Sequence, residues 1–309
     1  MGVRPAIIKL TACMAAAMMQ GCFFTGVEST PRITGRDVRQ ATLPPSAEDG
    51  YLMTSVPEPV NRWTAGKEFR VTDERIARIF GAAGPAAGLR PGQTLRYTGT
   101  TEAPGVTGET VTDLNFTGPD GEALSYRLNR PLNRVMSDSV TEVPFTIQMS
   151  MVDEAERLMR GKEYYVLTSY WRDDGDNPVD GRKYITVTID SVSAGNALYP
   201  LKVSFHDQEG RSARIFMHGG GRNGSLRTFG RVFSFSNPRL KYPHITDEHW
   251  RMITNGQITD GMTTEEVRLS LGRPKEVERG ATNSQLREAW LYDNGMYLLF
   301  EDGLLRRRR

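Results

Sequence analysis

Short runs of alternating apolar and polar residues dominate the middle of the chain, from residue 63 to residue 240. Leu114 and Phe116 flank a polar residue in one run, and Val203 and Phe205 do so in another. A period of two is typical of strands with one buried face. The pattern predicts the strands Glu68–Val71, Thr94–Thr98, Thr112–Phe116, Leu124–Leu128 and Phe145–Met149, followed by Glu163–Leu167, Tyr184–Ile189, Leu201–Phe205, Ala213–Met217 and Arg231–Phe235.

The second group of predicted strands repeats the first. Gly161–Val166 is similar to Gly66–Val71, which lies 95 residues earlier, and the later matches are 89 residues apart. Matches that keep one order at a nearly constant offset indicate a duplication. We therefore expect two tandem, small five-stranded β-barrel or sandwich modules, at 63–150 and 151–240. The later matches pair Gly92–Tyr97 with Gly181–Thr186, Leu114–Phe116 with Val203–Phe205, and Asp120-Gly121 with Glu209-Gly210.

Turn residues and one helix complete this part of the prediction. Asp120-Gly121 and Glu209-Gly210 supply the residues that tight hairpins need. Between its first two strands the first copy is longer, and Asp73–Phe80 is expected to form an inserted helix capped by Thr72. The expected fold class is α+β and mainly β.

From Tyr242 onward the apolar period becomes helical. Thr246 is placed to cap a helix over Asp247–Thr254. A second helix begins after Thr263, because Thr263 and Glu266 have the spacing of a capping box.

A three-stranded meander is predicted to follow these helices. Leu286–Asp293 turns through Asn294-Gly295 into Met296–Glu301, and Asp302-Gly303 turns that strand into Leu304–Arg307. Both dipeptides are strong hairpin signals. Residues 241–309 are therefore expected to form an ααβββ module.

Several residues of this module together carry a family resemblance. They are Gly261-Met262-Thr263, Glu266-Val267, Leu271-Gly272, Pro274, Trp290-Leu291-Tyr292, Tyr297-Leu298-Leu299-Phe300 and Asp302-Gly303. With them, the module resembles the SmpA/OmlA (BamE-like) family of small outer-membrane lipoproteins. The resemblance implies a fold that acts by binding proteins or envelope components, without catalysis.

The N-terminus has the organisation of a secretory signal. Arg4 and Lys9 precede an apolar run, Leu10–Met19, which is too short to span a bilayer. Gly21 directly before Cys22 resembles the lipobox of bacterial lipoproteins. That resemblance implies cleavage between Gly21 and Cys22, a diacylglyceryl thioether on Cys22, and acylation of its new amine by a fatty acid such as palmitate. The alternative is an ordinary signal peptide (1–21) with a chance cysteine.

Residues 22–62 are rich in proline and poor in periodic apolar positions, as in Leu43-Pro44-Pro45 and Val56-Pro57-Glu58-Pro59. Such composition seldom buries a core, so we expect a flexible tether. Phe23, not Asp, follows Cys22. By resemblance to lipoprotein sorting, this favours the outer membrane, facing the periplasm.

Charge and cysteine content exclude several functions. The chain has 39 basic and 37 acidic residues, and loss of Arg4 and Lys9 with the signal would leave it formally neutral. Net charge therefore gives no argument for nucleic-acid binding. Cys13 would leave with the signal and Cys22 would carry lipid, so neither a disulfide nor a cysteine zinc site is expected.

Other patterns point only weakly to chemistry. Gly219–Gly224 satisfies G-x-G-x-x-G, but no helix is predicted after it, so we interpret it as a mobile loop. Asp173–Asn177 offers oxygen ligands, but Pro178 breaks the calcium-loop spacing and a solvated hairpin tip is favoured. Four histidines lack metal-site spacing: His206, His218, His244 and His249. The sequence predicts no metal, no cofactor and no catalytic site.

A run of four arginines ends the chain: Arg306, Arg307, Arg308 and Arg309. One interpretation is a frayed, solvated tail. The other is a contact with anionic phospholipid or lipopolysaccharide, whose phosphates guanidinium groups bind in two-pronged fashion.

These patterns predict a lipid-anchored cell-envelope binding or scaffold protein that supports outer-membrane integrity or protein assembly, and not an enzyme. The expected partners are the membrane, through Cys22, and outer-membrane assembly proteins or other envelope proteins. An envelope hydrolase is one alternative, and would show a deep cleft between the β modules with acids of raised pKa. A solute- or inhibitor-binding lipoprotein is another, and would show a large apolar groove on the C-terminal sheet.

Overall fold

Three antiparallel sheets organise the part of the chain that can be described. The structure, a computed structural model, describes residues 46–80, 88–106, 108–220, 227–282 and 285–309. Strands predominate and short helices connect or cover the sheets, so the fold is α+β and mainly β, as the sequence predicts.

The N-terminal sheet holds the first five strands. Each strand begins and ends within about two residues of its predicted bounds, except that β2 begins at Thr94 as predicted but continues to Pro104. The elements are α1 (Ala47–Gly50), a 3₁₀ turn (Val60–Arg62), β1 (Glu68–Val71), α2 (Ile76–Ile79), β2 (Thr94–Pro104), β3 (Thr110–Thr117), β4 (Ala123–Leu128), α3 (Leu132–Ser137) and β5 (Thr146–Gln148).

The central sheet is larger and carries an extra hairpin, whose tip the sequence predicts at Asp173–Asn177 but whose two strands it does not. Of the last predicted strand, Arg231–Phe235, only Phe233 and Ser234 form a strand, and Arg231 and Val232 belong to a helical turn. The elements are α4 (Met149–Met159), β6 (Glu163–Val166), β7 (Tyr170–Arg172), β8 (Pro178–Asp180), β9 (Ile185–Ala194), β10 (Leu201–Asp207), β11 (Ser212–Met217), α5 (Phe229–Val232) and β12 (Phe233–Ser234).

These two sheets share one strand order. The N-terminal sheet runs β4-β3-β2-β1-β5, and the central sheet contains the equivalent series β11-β10-β9-β6-β12. Every pairing in both series is antiparallel. A short helix precedes the last strand in each copy, and the β7–β8 hairpin extends the central sheet alone. The sequence repeat thus coincides with a repeat of topology.

Hydrogen bonds correct one part of the predicted alignment. The amide of Gly66 donates to the carbonyl of Tyr97 at 2.7 Å, and the amide of Gly161 donates to that of Ile189 at 2.8 Å. Tyr97 therefore corresponds to Ile189, which lies 92 residues later, and not to Thr186. The extra residues of the first copy are thus divided between two connections.

Each described sheet has two free ends in its strand order, so none closes into a barrel. Aromatic rings fill the core of the N-terminal sheet, where Trp63, Phe69 and Phe116 are buried. The core of the central sheet includes Phe205 and Phe233. Of the two predicted alternatives for the modules, the closed one does not form.

Residues 46–62, which the sequence assigned to the tether, are packed where the structure describes them. Ser46 caps α1 through a capping box with Asp49. Leu52 is buried in the core of the central sheet, and Val60 is buried in the core of the N-terminal sheet. The remainder of the predicted tether, 22–45, lies outside the described residues.

Helix α4, which the sequence analysis missed, connects the N-terminal sheet to the central sheet. It starts directly after β5 and buries Met151, Val152, Ala155 and Met159 on one face. This spacing is that of a helix stripe, and each large side chain contributes about 1.5–3 kcal/mol when buried. No side chain caps its first turn, so the usual start signal is absent.

The helix predicted over 73–80 is shorter than expected and is not capped by Thr72. The amide of Thr72 donates to the carbonyl of Phe145, which keeps Thr72 extended beside β5. Asp73 instead accepts from the amide of Arg75, and the helix α2 begins only at Ile76.

The C-terminal part contains both predicted helices and four strands instead of three. Thr246 accepts a hydrogen bond from the amide of His249, and Thr263 and Glu266 form the predicted capping box. The extra strand precedes the others and lies at the sheet edge. The elements are a 3₁₀ turn (Pro238–Lys241), α6 (Asp247–Thr254), α7 (Thr264–Leu271), β13 (Glu276–Thr282), β14 (Gln285–Leu291), β15 (Tyr297–Glu301) and β16 (Leu304–Arg308).

A buried lysine joins the central sheet to these helices. Lys183 is only 8% exposed, and its ammonium donates to the carbonyl of Ser270, in the last turn of α7, at 2.5 Å. Its backbone amide donates to the carbonyl of Thr254. The positive charge lies where the helix dipole favours it, but burial lowers the pKa of Lys183 to about 8.

The adjacent residue, Tyr184, adopts a backbone conformation that favours glycine. Its φ is 61°, and the equivalent residue of the first copy is Gly92, with φ of 89°. The amides of Tyr184 and Gly92 donate to the equivalent carbonyls of Val166 and Val71. The Tyr184 ring lies 5.5 Å from that of Trp250 in α6, so contacts with the C-terminal helices offset the backbone strain.

The buried amine predicts a rise in stability with pH. Because the Lys183 pKa is lower in the folded chain than in the unfolded chain, unfolding becomes harder as pH rises through 8 towards 10.5. Between pH 7.5 and 9.5 the free energy of unfolding should increase by about 2 kcal/mol more in the unaltered chain than in Lys183→Met. Urea titrations at several pH values measure this difference.

The pH range of the measurement stays below 10 because of Tyr184. Burial raises the pKa of Tyr184 to about 12, so above pH 10 this residue lowers the free energy of unfolding as pH rises. Lys275→Met, at an exposed lysine, is the matched control and should keep the full pH dependence. Parallel pH profiles for the unaltered chain and Lys183→Met would refute the assignment.

Candidate functional site: an apolar cleft between two sheets

A cleft of about 310 Å³ lies between the N-terminal and central sheets. It is formed where β5 runs into α4, opposite the β9–β10 connection and the end of β11. Most of the side chains around it are apolar. The lining residues are Val56, Pro57, Val140, Glu142, Val143, Thr146, Ile147, Gln148, Met151, Ala197, Leu198, Pro200, His218, Gly219 and Gly220.

Gln148 fixes one wall of the cleft. Its side-chain nitrogen donates to the carbonyls of Glu58 and Thr141, both at 3.1 Å. Its side-chain oxygen accepts from the amide of Glu58 at 2.9 Å. The amide group of Gln148 is thus committed to holding two loops, which leaves it little capacity to bind a ligand.

Gly219 and Gly220 form the opposite wall by close backbone packing. The amide of Gly220 donates to the carbonyl of Ser55, and the Ser55 hydroxyl donates to the carbonyl of Met151 in α4. A Cβ atom on Gly220 would lie 2.1 Å from the carbonyl oxygen of Leu52. These glycines are explained by packing, and Gly221 to Gly224 of the predicted mobile loop lie outside the described residues.

His218 is the buried aromatic group of the cleft. Its amide donates to the carbonyl of Arg227, and its ring lies 5.1 Å from that of Tyr199. The guanidinium of Arg227 covers the other ring, 4.5 Å from the Tyr199 centroid. The His218 ring thus makes an edge-on contact with the Tyr199 ring at the side of the cleft.

Two exposed apolar residues mark the mouth of the cleft. Leu198 is 66% exposed and Val140 is 45% exposed. A mostly apolar set of lining side chains with exposed apolar residues at the opening is typical of a site for an apolar group. The arrangement can bind such a group by removing its surface from water.

A second cleft of about 550 Å³ lies on the other side of α4 and contains two acids. Burial, followed by the nearby charges of Glu68 and Glu156, raises the pKa of Asp153. Glu156 accepts from the amide of Val192 and pairs with Arg160 at 3.2 Å. Glu156 is thus already bonded, whereas Asp153 forms no ion pair among the described residues.

The acidic hairpin tip folds onto basic residues of the central sheet. Asp173 accepts from the amides of Gly175 and Asn177 and so shapes the turn. Asp176 lies 3.5 Å from the amine of Lys202, and Asp174 lies 3.0 Å from the guanidinium of Arg214. Within the described ranges, no three His, Cys, Asp or Glu side chains converge as metal ligands would.

The other histidines form separate pairs with acids. His206 contacts Asp190 at 2.7 Å across β9 and β10, and His244 contacts Glu265 at 2.8 Å. His249 contacts the buried capping residue Glu266 at 2.7 Å. Burial opposes ionisation of Glu266, but hydrogen bonds from Thr263 and His249 outweigh it and lower its pKa.

The four arginines at the end of the chain lie on or beside the edge strand of the C-terminal sheet. Arg306–Arg308 belong to β16, and the backbone of Arg309 exchanges two hydrogen bonds with Tyr297. All four are exposed, and Arg308 donates to the carbonyl of Ile258 at 3.0 Å. A frayed tail is therefore not what this end of the chain forms.

The predicted lipidation residue Cys22 and the preceding Gly21 lie outside the described residues. Over the part of the chain that is described, no helix has the length and apolar character needed to cross a bilayer.

Sequence reasoning missed the cleft as a site. Its lining residues come from segments separated by more than 160 residues, such as Val56 and Gly220. Leu198 and Val140 occur in irregular connections where no apolar period exists to single them out.

No known protein family matches the chain, and no curated protein matches it in sequence.

The backbone packing at Gly220 predicts a large effect of one methyl group. Gly220→Ala should lower the free energy of unfolding by about 1–3 kcal/mol, because the new Cβ would overlap the Leu52 carbonyl. Urea unfolding measures the change. Gly50→Ala is the control, since nothing lies within 4 Å of a Cβ there. Equal stability of the two variants would contradict the packing described.

Proposed function

We propose that the chain is a lipid-anchored cell-envelope binding or scaffold protein, and that the cleft between the N-terminal and central sheets is a binding site. The cleft supports this proposal because its wall amide, Gln148, already has hydrogen-bond partners within the protein. The exposed Leu198 and Val140 add apolar surface at its opening. The preferred ligand is an apolar group, such as the side chains of a peptide segment of another envelope protein.

The proposed address rests on the sequence. The short apolar run Leu10–Met19 and the lipobox resemblance at Gly21-Cys22 favour export and acylation of Cys22. A thioether-linked diacylglyceryl group and an amine-linked fatty acid would together place three acyl chains on Cys22. Stable anchoring needs only two such membrane signals. Phe23 after the cysteine favours the outer membrane, with the folded part in the periplasm.

The proposed module at 241–309 is SmpA/OmlA-like. Two capped helices followed by an antiparallel meander support this assignment, and the extra strand β13 departs from it. A protein of this construction would support outer-membrane integrity or protein assembly by holding partners, without a cofactor. The exposed Arg306–Arg309 would contact anionic lipid headgroups.

Binding in the cleft can be tested with the uncharged apolar dye N-phenyl-1-naphthylamine and by pull-down from detergent-solubilised envelopes. Leu198→Lys places a charge at the mouth, so it should weaken dye binding by about tenfold and reduce partner recovery. Leu240→Lys is the matched control, because Leu240 is 76% exposed and lies outside the cleft. If both variants bind dye and partners like the unaltered chain, the cleft is not the site.

Membrane anchoring can be tested with labelled palmitate. Cys22→Ala should abolish incorporation, whereas Cys13→Ala, at the only other cysteine, should leave it unchanged. Incorporation that survives Cys22→Ala would remove the anchor from the proposal.

The arginine contact is a separate part of the same membrane test. Replacing all four arginines with Gln should reduce flotation with phosphatidylglycerol vesicles at low salt, because guanidinium groups attract anionic headgroups. Unchanged flotation would leave Cys22 as the only membrane contact proposed.

A further inference from the structure

The outer face of the C-terminal sheet is apolar at its centre. The inner face packs against α6 and α7 and buries Trp290, Leu298 and Phe300. Side chains alternate along a strand, so the neighbours of these residues point to the other face. There Tyr297 is 39% exposed, and Ala289, Leu291 and Leu299 are half-buried outside that core.

The pairing register extends this apolar centre into two ordered rows. Each row begins with a glutamate of β13, continues through two apolar residues of β14 and β15, and ends with an arginine in or directly after β16. The glutamates and arginines are exposed. The rows are Glu276, Leu291, Tyr297 and Arg309, and Glu278, Ala289, Leu299 and Arg307.

A third row borders the patch and is also charged. Arg287 of β14 and Glu301 of β15 lie directly opposite each other and form an ion pair at 3.1 Å. The outer face is therefore acidic along β13, basic along β16, and has one further basic and one further acidic group on the two strands between.

We propose that this face forms a homodimer by packing against the same face of a second copy. A two-fold axis parallel to the strands, between β14 and β15, places β13 of one copy over β16 of the other. Glu278 then meets Arg307 of the second copy, and Glu276 meets Arg309. Arg287 likewise meets Glu301, and the apolar centres cover each other. Sheets that pack face to face lie about 10 Å apart, which long charged side chains can bridge.

Charge selects this arrangement among the two-fold alternatives. An axis perpendicular to the strands, within the interface, would place the β13 glutamates over each other and the β16 arginines over each other. Like charges at such positions oppose association. The acid-to-base order along both rows is therefore self-complementary in one orientation.

The size of the face sets the expected strength. Four strands about 4.8 Å apart and five residues about 3.4 Å apart give a footprint of roughly 300 Å² per copy. Stable interfaces bury about 800 Å² per partner, so the dimer should be weak and should form at high protein concentration. The dimer does not depend on the proposed lipid anchor or cleft.

Sedimentation velocity of the full chain in a non-ionic detergent, at low salt and over a series of protein concentrations, tests the dimer. Glu278→Arg and Arg307→Glu should each weaken association by about tenfold or more, because each creates two like-charge contacts. The double variant Glu278→Arg/Arg307→Glu should restore it to within about threefold of the unaltered chain, because the charges are exchanged. Within one copy, β14 and β15 lie between Glu278 and Arg307, so these two side chains do not meet. The rescue therefore reports contacts between copies.

Tyr297→Lys should also abolish association, and Glu102→Arg, at an exposed acid of the N-terminal sheet, is the control that should not change it. Unchanged thermal unfolding shows that the variants fold. The proposal is overturned if the unaltered chain stays monomeric across the concentration series, or if the double exchange fails to restore association. In the first case the face would be open to a different partner, as in a solute- or inhibitor-binding lipoprotein.

Discussion

The continuity of β5 and α4 is the constraint on which most of this structure depends. Ile147 and Gln148 pair with β1 and so belong to the N-terminal sheet, yet Ile147 is buried in the core of the central sheet. The next residues form the helix whose apolar stripe covers that sheet. Because no linker separates strand from helix, the two sheets are held at one junction. Both clefts are built on it, one beside Gln148 and Met151 and the other beside Val152 and Asp153.

The repeated topology was used differently in its two copies. The left-handed position that Gly92 fills in the first copy holds Tyr184 in the second, where the side chain reaches the C-terminal helices. The neighbouring Lys183 is buried at the end of α7. Burial removes water from its ammonium group, and this desolvation lowers the pKa of Lys183. Backbone strain at Tyr184 and desolvation of Lys183 thus occur together where the central sheet meets the C-terminal module. Local costs of this kind persist when surrounding contacts determine the conformation.

Two of the described surfaces are suited to binding, namely the cleft between the N-terminal and central sheets and the outer face of the C-terminal sheet. The cleft between the sheets is lined mostly by apolar side chains, and the side-chain amide of Gln148 in its wall already has hydrogen-bond partners. The outer face of the C-terminal sheet combines a half-exposed apolar centre with ordered charges at its edges. Ionisable groups elsewhere are mostly in pairs, as in His249 with Glu266 and Asp176 with Lys202. Such pairs neutralise charge locally and hold turns and helix ends in place.

The sequence by itself determined the elements whose signals are local. The period of two located most strands, the capping box located α7, and Asp302-Gly303 located a hairpin whose two residues both adopt positive φ. It did not reveal α4, because Gln148 provides no side-chain cap, or β13, an edge strand exposed on both faces. Tertiary structure alone decided the burial of Leu52 and Val60, the cleft around Gln148, and the rows of charge on the C-terminal sheet. The reason is physical: each depends on segments distant in the chain, brought together by core packing and by strand register, which no local pattern encodes.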